Sequence, residues 1–123
     1  MTFSKSTLPN GIRYLTIPLP NIKSATLAFY IATGSRFEPA PLSGISHFLE
    51  HMLFKGSRNY PTAKDLFASV ERMGGVLNGW TDTEATAYWI KVPSVHVTDA
   101  FSILSDMVFQ SLMDAKELEK ERQ

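Results

Sequence analysis

Five residues, His47-Phe48-Leu49-Glu50-His51, constrain this chain more than any other stretch. Read as one helix, they set two imidazoles one turn apart with a carboxylate beside them. At about 100° per residue, His47, Glu50 and His51 fan out around one side of the helix. Ile45, Phe48, Leu49, Met52 and Leu53 follow the i, i+3, i+4, i+7, i+8 pattern and centre on roughly the opposite side. The expected helix therefore has a greasy face for packing and a wet face carrying two candidate metal ligands and a candidate base. Zinc takes neutral imidazole nitrogen readily, and two histidines four apart on a helix are well placed to share one ion. The neighbouring Glu50 can then act as general base on water at the metal. The alternative is two surface histidines and a surface glutamate, and the spacing favours the metal site.

Composition limits what can surround such a helix. The chain has 123 residues, enough for one domain and not comfortably for two. Hydrophobic residues at 44% and charged residues at 20% fit a soluble globular protein. Twelve basic residues balance twelve acidic ones, with no basic stripe, so nucleic acid is not an expected partner. No apolar run is long enough to span a membrane. Cysteine is absent, which removes disulfides, cysteine nucleophiles and thiolate ligands together. Met1-Thr2-Phe3-Ser4-Lys5 lacks a charged start followed by an apolar core, so no secretory signal is expected. The expected location is cytoplasmic.

Residues 5–8 and 11–17 read as two short strands around Pro9-Asn10-Gly11, a tight-turn signal. Ser24 to Ala32 is a second extended run. Leu27, Phe29 and Ile31 share one of its faces, and Ala28, Tyr30 and Ala32 the other. Both are apolar, which predicts a strand inside a covered sheet. A loop over 34–41 leads to Ser43, the expected N-cap of the His47 helix, and Gly56 is the expected left-handed cap at its end. Thr62 opens the next helix, with Asp65 three residues on. Its stripe is Ala63, Leu66, Phe67, Val70 and Met73, closed by Gly74-Gly75. Val76 to Trp80 and Glu84 to Val92 predict a hairpin. Ser94 is the expected cap of a long helix with the stripe Val97, Ala100, Phe101, Leu104, Met107 and Val108. A last helix begins at Asp114, with Glu117 completing a D-x-x-E box, and runs to Gln123 without a Gly, Asn or Pro to close it. A helix of about two turns is marginal alone. Residues 1–123 are therefore expected to be the N-terminal portion of one longer domain, cut inside a helix.

Two histidines do not complete a zinc site, since catalytic sites usually supply three protein ligands. His96, Asp82, Glu84, Glu117, Glu119 and Glu121 are the remaining candidates, and spacing alone does not choose among them. His96 reads as an exposed residue of its helix's first turn, Asp82 and Glu84 as solvated turn residues near the hairpin tip, and Glu117, Glu119 and Glu121 as a solvated face of the last helix.

His-x-x-Glu-His marks the inverzincins. Gly34-Ser35-Arg36-Phe37-Glu38 and His47 through Gly56 resemble the pitrilysin/insulinase family, which includes the mitochondrial processing peptidase. The resemblance runs on through Gly74-Gly75, Asn78, Thr81, Glu84 to Tyr88, Ile103 to Asp106, and Glu119 to Arg122, nearly the whole chain in order. It implies that His47 and His51 bind Zn2+, that Glu50 is the base, and that the third ligand is a Glu a few residues past Gln123. Glu121 resembles a family carboxylate on the same helix as that ligand and is the expected second-shell partner. The implied activity is a zinc metalloendopeptidase acting on short or unfolded peptides.

Family members resemble clamshells of two related halves, on one chain or two subunits, holding the peptide as an added strand on a sheet edge. Val76 to Trp80, containing Asn78, is the candidate edge, with Asn78 the candidate substrate contact. An alternative for Asn78 is a bond to its own backbone. Trp80 and Trp89 are expected to pack in the core or a groove wall. The implied fold is α+β, a largely antiparallel sheet with helices packed on one face.

S-ribosylhomocysteine lyases carry a similar element but use cysteines, which this chain lacks. Non-catalytic partner subunits of the peptidase family commonly lose motif residues, whereas all three are present here. Without the third ligand and the second half, residues 1–123 alone are expected to bind zinc weakly and to cleave nothing.

Overall fold

The computed structural model describes residues 2–122. The expected continuation of the last helix at Gln123 lies outside them. Strands β1 (Ser4–Thr7) and β2 (Arg13–Thr16) form an antiparallel hairpin, exposed along its whole length. Its turn uses Gly11 at φ +89°, a conformation that costs glycine little. Strands β3 (Ser24–Ile31), β4 (Val76–Thr81) and β5 (Thr86–Pro93) form a second antiparallel sheet in the order β3-β5-β4. The β4–β5 connection is the predicted hairpin.

Helices α1 (Ile45–Leu53), α2 (Ala63–Glu71) and α3 (Val97–Phe109) cover one face of that sheet. The core shows this directly. Leu77, Tyr88, Ile90 and Val92 from the sheet meet Leu53 of α1, Leu66 and Val70 of α2, and Ala100, Ile103, Leu104 and Met107 of α3. The largest of these side chains contribute about 1.5–3 kcal/mol each on burial. Tertiary packing of this kind, rather than propensity, is what holds a nine-residue helix such as α1. The fold is thus α+β with helices on one face, as expected.

Three expectations about this scaffold are corrected. Strand β3 is an edge strand among the described residues, not an interior one. Its Leu27 and Phe29 pack on the core, but Tyr30 on the other face is 71% exposed, in edge contact with Trp80 at 6.0 Å. The most deeply buried strand is the central β5. Ser94 caps no helix by its side chain. Ser94 to His96 form a 3-10 turn leading into α3, and the Ser94 N–H donates to the Lys23 carbonyl. In α3 the buried stripe includes Ile103, while Phe101 stays largely exposed against Phe29.

Thr62 caps α2 as predicted, its hydroxyl accepting from the Asp65 N–H at 3.1 Å. The last helix, α4 (Ala115–Glu121), is capped by Asp114, which accepts from the Lys116 and Glu117 amides. No residue of α4 is buried. Among the described residues no helix is long and apolar enough to cross a membrane.

Candidate metal centre

Helix α1 begins at Gly44, which sits at φ +91° and offers no side-chain cap. The cap comes from outside the helix. The Gly44 N–H donates to Glu38 Oε2 at 2.6 Å and the Ser46 N–H to Glu38 Oε1 at 2.9 Å. Ser43, the expected N-cap, instead ends the preceding 3-10 turn, its N–H turned to the Ala40 carbonyl. An anion suits this place, because the first helical amides are unpaired and carry the positive end of the helix dipole. Those two amides, Gly44 first and Ser46 next, hold the Glu38 carboxyl below the usual carboxylate range.

The Glu38 loop is itself tied to the tip of the β4–β5 hairpin. The Ser35 and Arg36 amides donate to the Asp82 and Thr83 carbonyls, and Arg36 pairs with Glu84. A Cβ at Gly34 would lie 2.2 Å from the Asp82 carbonyl oxygen, so this approach requires glycine. At the other end, α1 stops at Leu53, before Gly56 is reached. Gly56 does not close the helix as a left-handed cap. It sits at φ +149° with its Cα against the Pro61 carbonyl, where a Cβ would come within 2.3 Å.

The two histidines are brought together. His47 Nε2 and His51 Nε2 lie 3.0 Å apart, with the rings edge to face. Two such nitrogens at this separation require a proton or a cation between them. The other nitrogen of His51 is already engaged: Nδ1–H donates to Glu121 Oε1 on α4. With its proton held on Nδ1, His51 presents Nε2 as a lone pair. Glu121 Oε2 also receives the Lys55 ammonium at 2.8 Å. Lys55 first and His51 second hold the Glu121 carboxyl below the usual range. Glu119, close by in register, pairs with Arg122 instead.

Glu50 corrects the expected faces of α1. It is 9% exposed, whereas Leu49 is 42% exposed, and Ser46 is buried with Glu50. The base candidate thus turns toward the sheet and not into solvent. The compensating contact comes from β4, where Thr81 Oγ1 donates to Glu50 Oε2 at 2.7 Å. Tyr88 of β5 lies buried nearby. Burial, and then the Glu50 charge, push its phenol up to about 12, so it stays neutral.

Asn78 is not gathered into this group. It lies on the open face of the sheet opposite Trp89, and its Oδ1 accepts from the Gly79 N–H at 2.8 Å. Its strand does form a sheet edge, as expected: β4 pairs only with β5 among the described residues. His96 is only partly exposed and is not in the first turn of α3: it ends the preceding 3-10 turn as the N-cap residue, with Nδ1 3.8 Å from Asp99. Among the described residues no group of three or more His, Cys, Asp or Glu side chains converges to hold a metal.

Sequence reasoning passed over the parts that hold the centre in place. Thr81 acts across the fold, and local pattern carries no signal for it. Glu38 lies only six to eight residues from the amides it caps, but outside the positions where a helix cap is read. Asp106 left a signal, a carboxylate within the buried stripe of α3. It is 8% exposed and accepts from Ser57 Oγ at 2.6 Å, the Asn59 N–H at 3.0 Å and Asn59 Nδ2 at 2.9 Å. These bonds fasten the loop that follows α1.

Comparison with known proteins identifies the family. The description of insulinase (peptidase family M16) matches residues 13–123. The uncharacterized zinc protease YmxG of Bacillus subtilis is 41% identical over 116 residues, covering 94% of this chain and 28% of that protein. The mitochondrial-processing peptidase subunit beta of Saccharomyces cerevisiae is 38% identical over 117 residues, or 95% of this chain and 25% of that one. Among solved structures, a protease from Helicobacter pylori superposes with a TM-score of 0.93 at 29% identity, over 99% of this chain and 29% of that one. Pitrilysin superposes with a TM-score of 0.86 at 30% identity, over 98% of this chain and 13% of that one. The chain thus spans about a quarter of the length of these curated relatives. With its sequence and its fold both matching along almost their whole length, the chain belongs to peptidase family M16, the insulinase family.

Proposed function

We propose that this chain carries the metal-binding helix and the general base of a zinc-dependent endopeptidase. The observation that carries the reading is the pair of Nε2 atoms on α1, 3.0 Å apart, with His51 Nδ1 bonded to Glu121. That donor set fits zinc: two neutral imidazole nitrogens, one of them oriented by a carboxylate behind it. His47 and His51 would hold the ion, and the third ligand is assigned to a carboxylate beyond Gln123. The names of the relatives as zinc proteases and processing peptidases support a zinc-dependent peptidase in general.

When bound, zinc supplies Lewis acidity to the scissile carbonyl and to the attacking water. Glu50 accepts the proton of that water and hands it to the departing amine. Glu121 keeps the His51 proton on Nδ1, and Glu38 fixes the start of the helix that bears both histidines. The free edge of β4 receives the substrate as an added strand, which selects short or unfolded peptides because only an extended backbone can pair there. Asn78 sits on that strand and would touch the peptide. A second related domain or subunit closes over the site, and the protein works in the cytoplasm.

The test is Glu50→Gln in the zinc-loaded protein. Turnover of an unstructured peptide should disappear while zinc stays bound one to one. Retained turnover would refute the role given to Glu50, and loss of zinc would show that Glu50 serves the metal site itself.

A further inference from the structure

The Glu50 carboxylate receives one hydrogen bond from the described residues, that of Thr81. A carboxylate this well buried costs free energy unless a donor satisfies it. The Thr81 hydroxyl satisfies Oε2, leaving Oε1 without a protein partner among the described residues. Glutamate has three side-chain torsions, and this single bond, made from the sheet to the helix, removes most of their freedom.

Thr81 is itself well anchored. Its backbone pairs with Thr86 on the central strand, and the Thr86 hydroxyl donates to the Thr33 carbonyl at 3.0 Å. Thr86 is 3% exposed.

We propose that Thr81 is a positioning residue for the base: its hydroxyl holds Glu50 Oε2 on the β4 side of α1 and so aims Oε1 at the attacking water. The inference rests on Glu50 being the base. It adds a link between two parts of the site, because the strand offered to the peptide is the strand that aims the base. A peptide paired along β4 and the carboxylate of Glu50 then share one rigid frame.

The experiment compares Thr81→Val, Thr81→Ser and Glu50→Gln in the full zinc-loaded protein. It reads kcat, KM and zinc content, with the 13C resonance of the Glu50 carboxyl followed in the metal-free protein. Thr81→Val keeps the shape and loses the donor. Its kcat should fall about 10- to 100-fold with KM and zinc content close to wild type, as expected for a misplaced general base. The Glu50 resonance should move. Thr81→Ser should restore both kcat and resonance.

Wild-type kcat in Thr81→Val would overturn the proposal, and so would a loss that serine does not restore, since packing would then be the cause. Thr81→Ala serves the same comparison if the valine variant does not fold. Glu50→Gln separates the two levels. If it retains turnover, the role of the base is wrong. If it is inactive while Thr81→Val is fully active, the base stands and only the role of Thr81 fails.

Discussion

Replacing Asp106 by alanine should destabilise the chain far more than a surface carboxylate would. Three donors converge on this side chain, and they differ in what they lose. Ser57 is 0% exposed, so its hydroxyl has no water to turn to. An orphaned buried donor of this kind costs about 1–3 kcal/mol. Asn59 is exposed, and water can replace the acceptor for its two N–H donors, so each of these costs less, about 0.5 kcal/mol. The sum is about 2–4 kcal/mol, which for a chain of this size lowers Tm by roughly 6–20 °C. Urea denaturation gives the free energy directly. The decisive measurement is the double variant. Ser57→Ala is costly in the wild type, but on the Asp106→Ala background it removes the orphaned hydroxyl and should recover about 1 kcal/mol. A loss below about 1 kcal/mol in Asp106→Ala, or a full additional cost from Ser57→Ala, would refute the reasoning.

Two further predictions concern the carboxylates around α1. Glu121→Gln should weaken zinc binding about 10- to 100-fold in a chelator competition, because glutamine holds the His51 Nδ1 proton less firmly; unchanged affinity would remove Glu121 from the site. For Glu38 the folded pKa is lowered, so its contribution to stability is complete above the ordinary value of 4.5 and is lost as pH falls through the depressed one. Denaturation midpoints of wild type and Glu38→Gln should therefore differ at neutral pH and converge in acid. A constant difference across that range would contradict the capping role.

Much of this was legible in the chain because the signals are local. Asn10-Gly11, Thr62 with Asp65, Asp114 and the Gly74-Gly75 pair all act within a few residues, and each marks its turn or helix end as read. The two histidines are local as well, four residues apart on one helix. What escaped depends on contacts between distant segments. Periodicity placed Glu50 on the wet side of α1, but packing turns it toward the sheet, where its donor is Thr81, thirty-one residues on. Strand β3 looked covered because both its faces are apolar, yet only the side bearing Leu27 and Phe29 has helices against it. Ser43 is a good cap by residue type and was displaced by a full negative charge on Glu38 reaching the same amides. Asn78 follows from the pleat: on β4 its neighbours Leu77 and Gly79 take the helix side, which sends it to the other.

Helix α4 adds no buried side chain to the core, and its ties to the body run through Glu121 to Lys55 and His51. A segment moored by polar contacts can detach and return while the sheet and its three helices remain folded. The Glu121 contact favours the Nδ1–H form of His51. Detachment of α4 would free the imidazole to move its proton, and return would reset it. On the proposed reading of the site, metal uptake would then follow a docking equilibrium, one that added salt weakens by screening the Lys55–Glu121 contact.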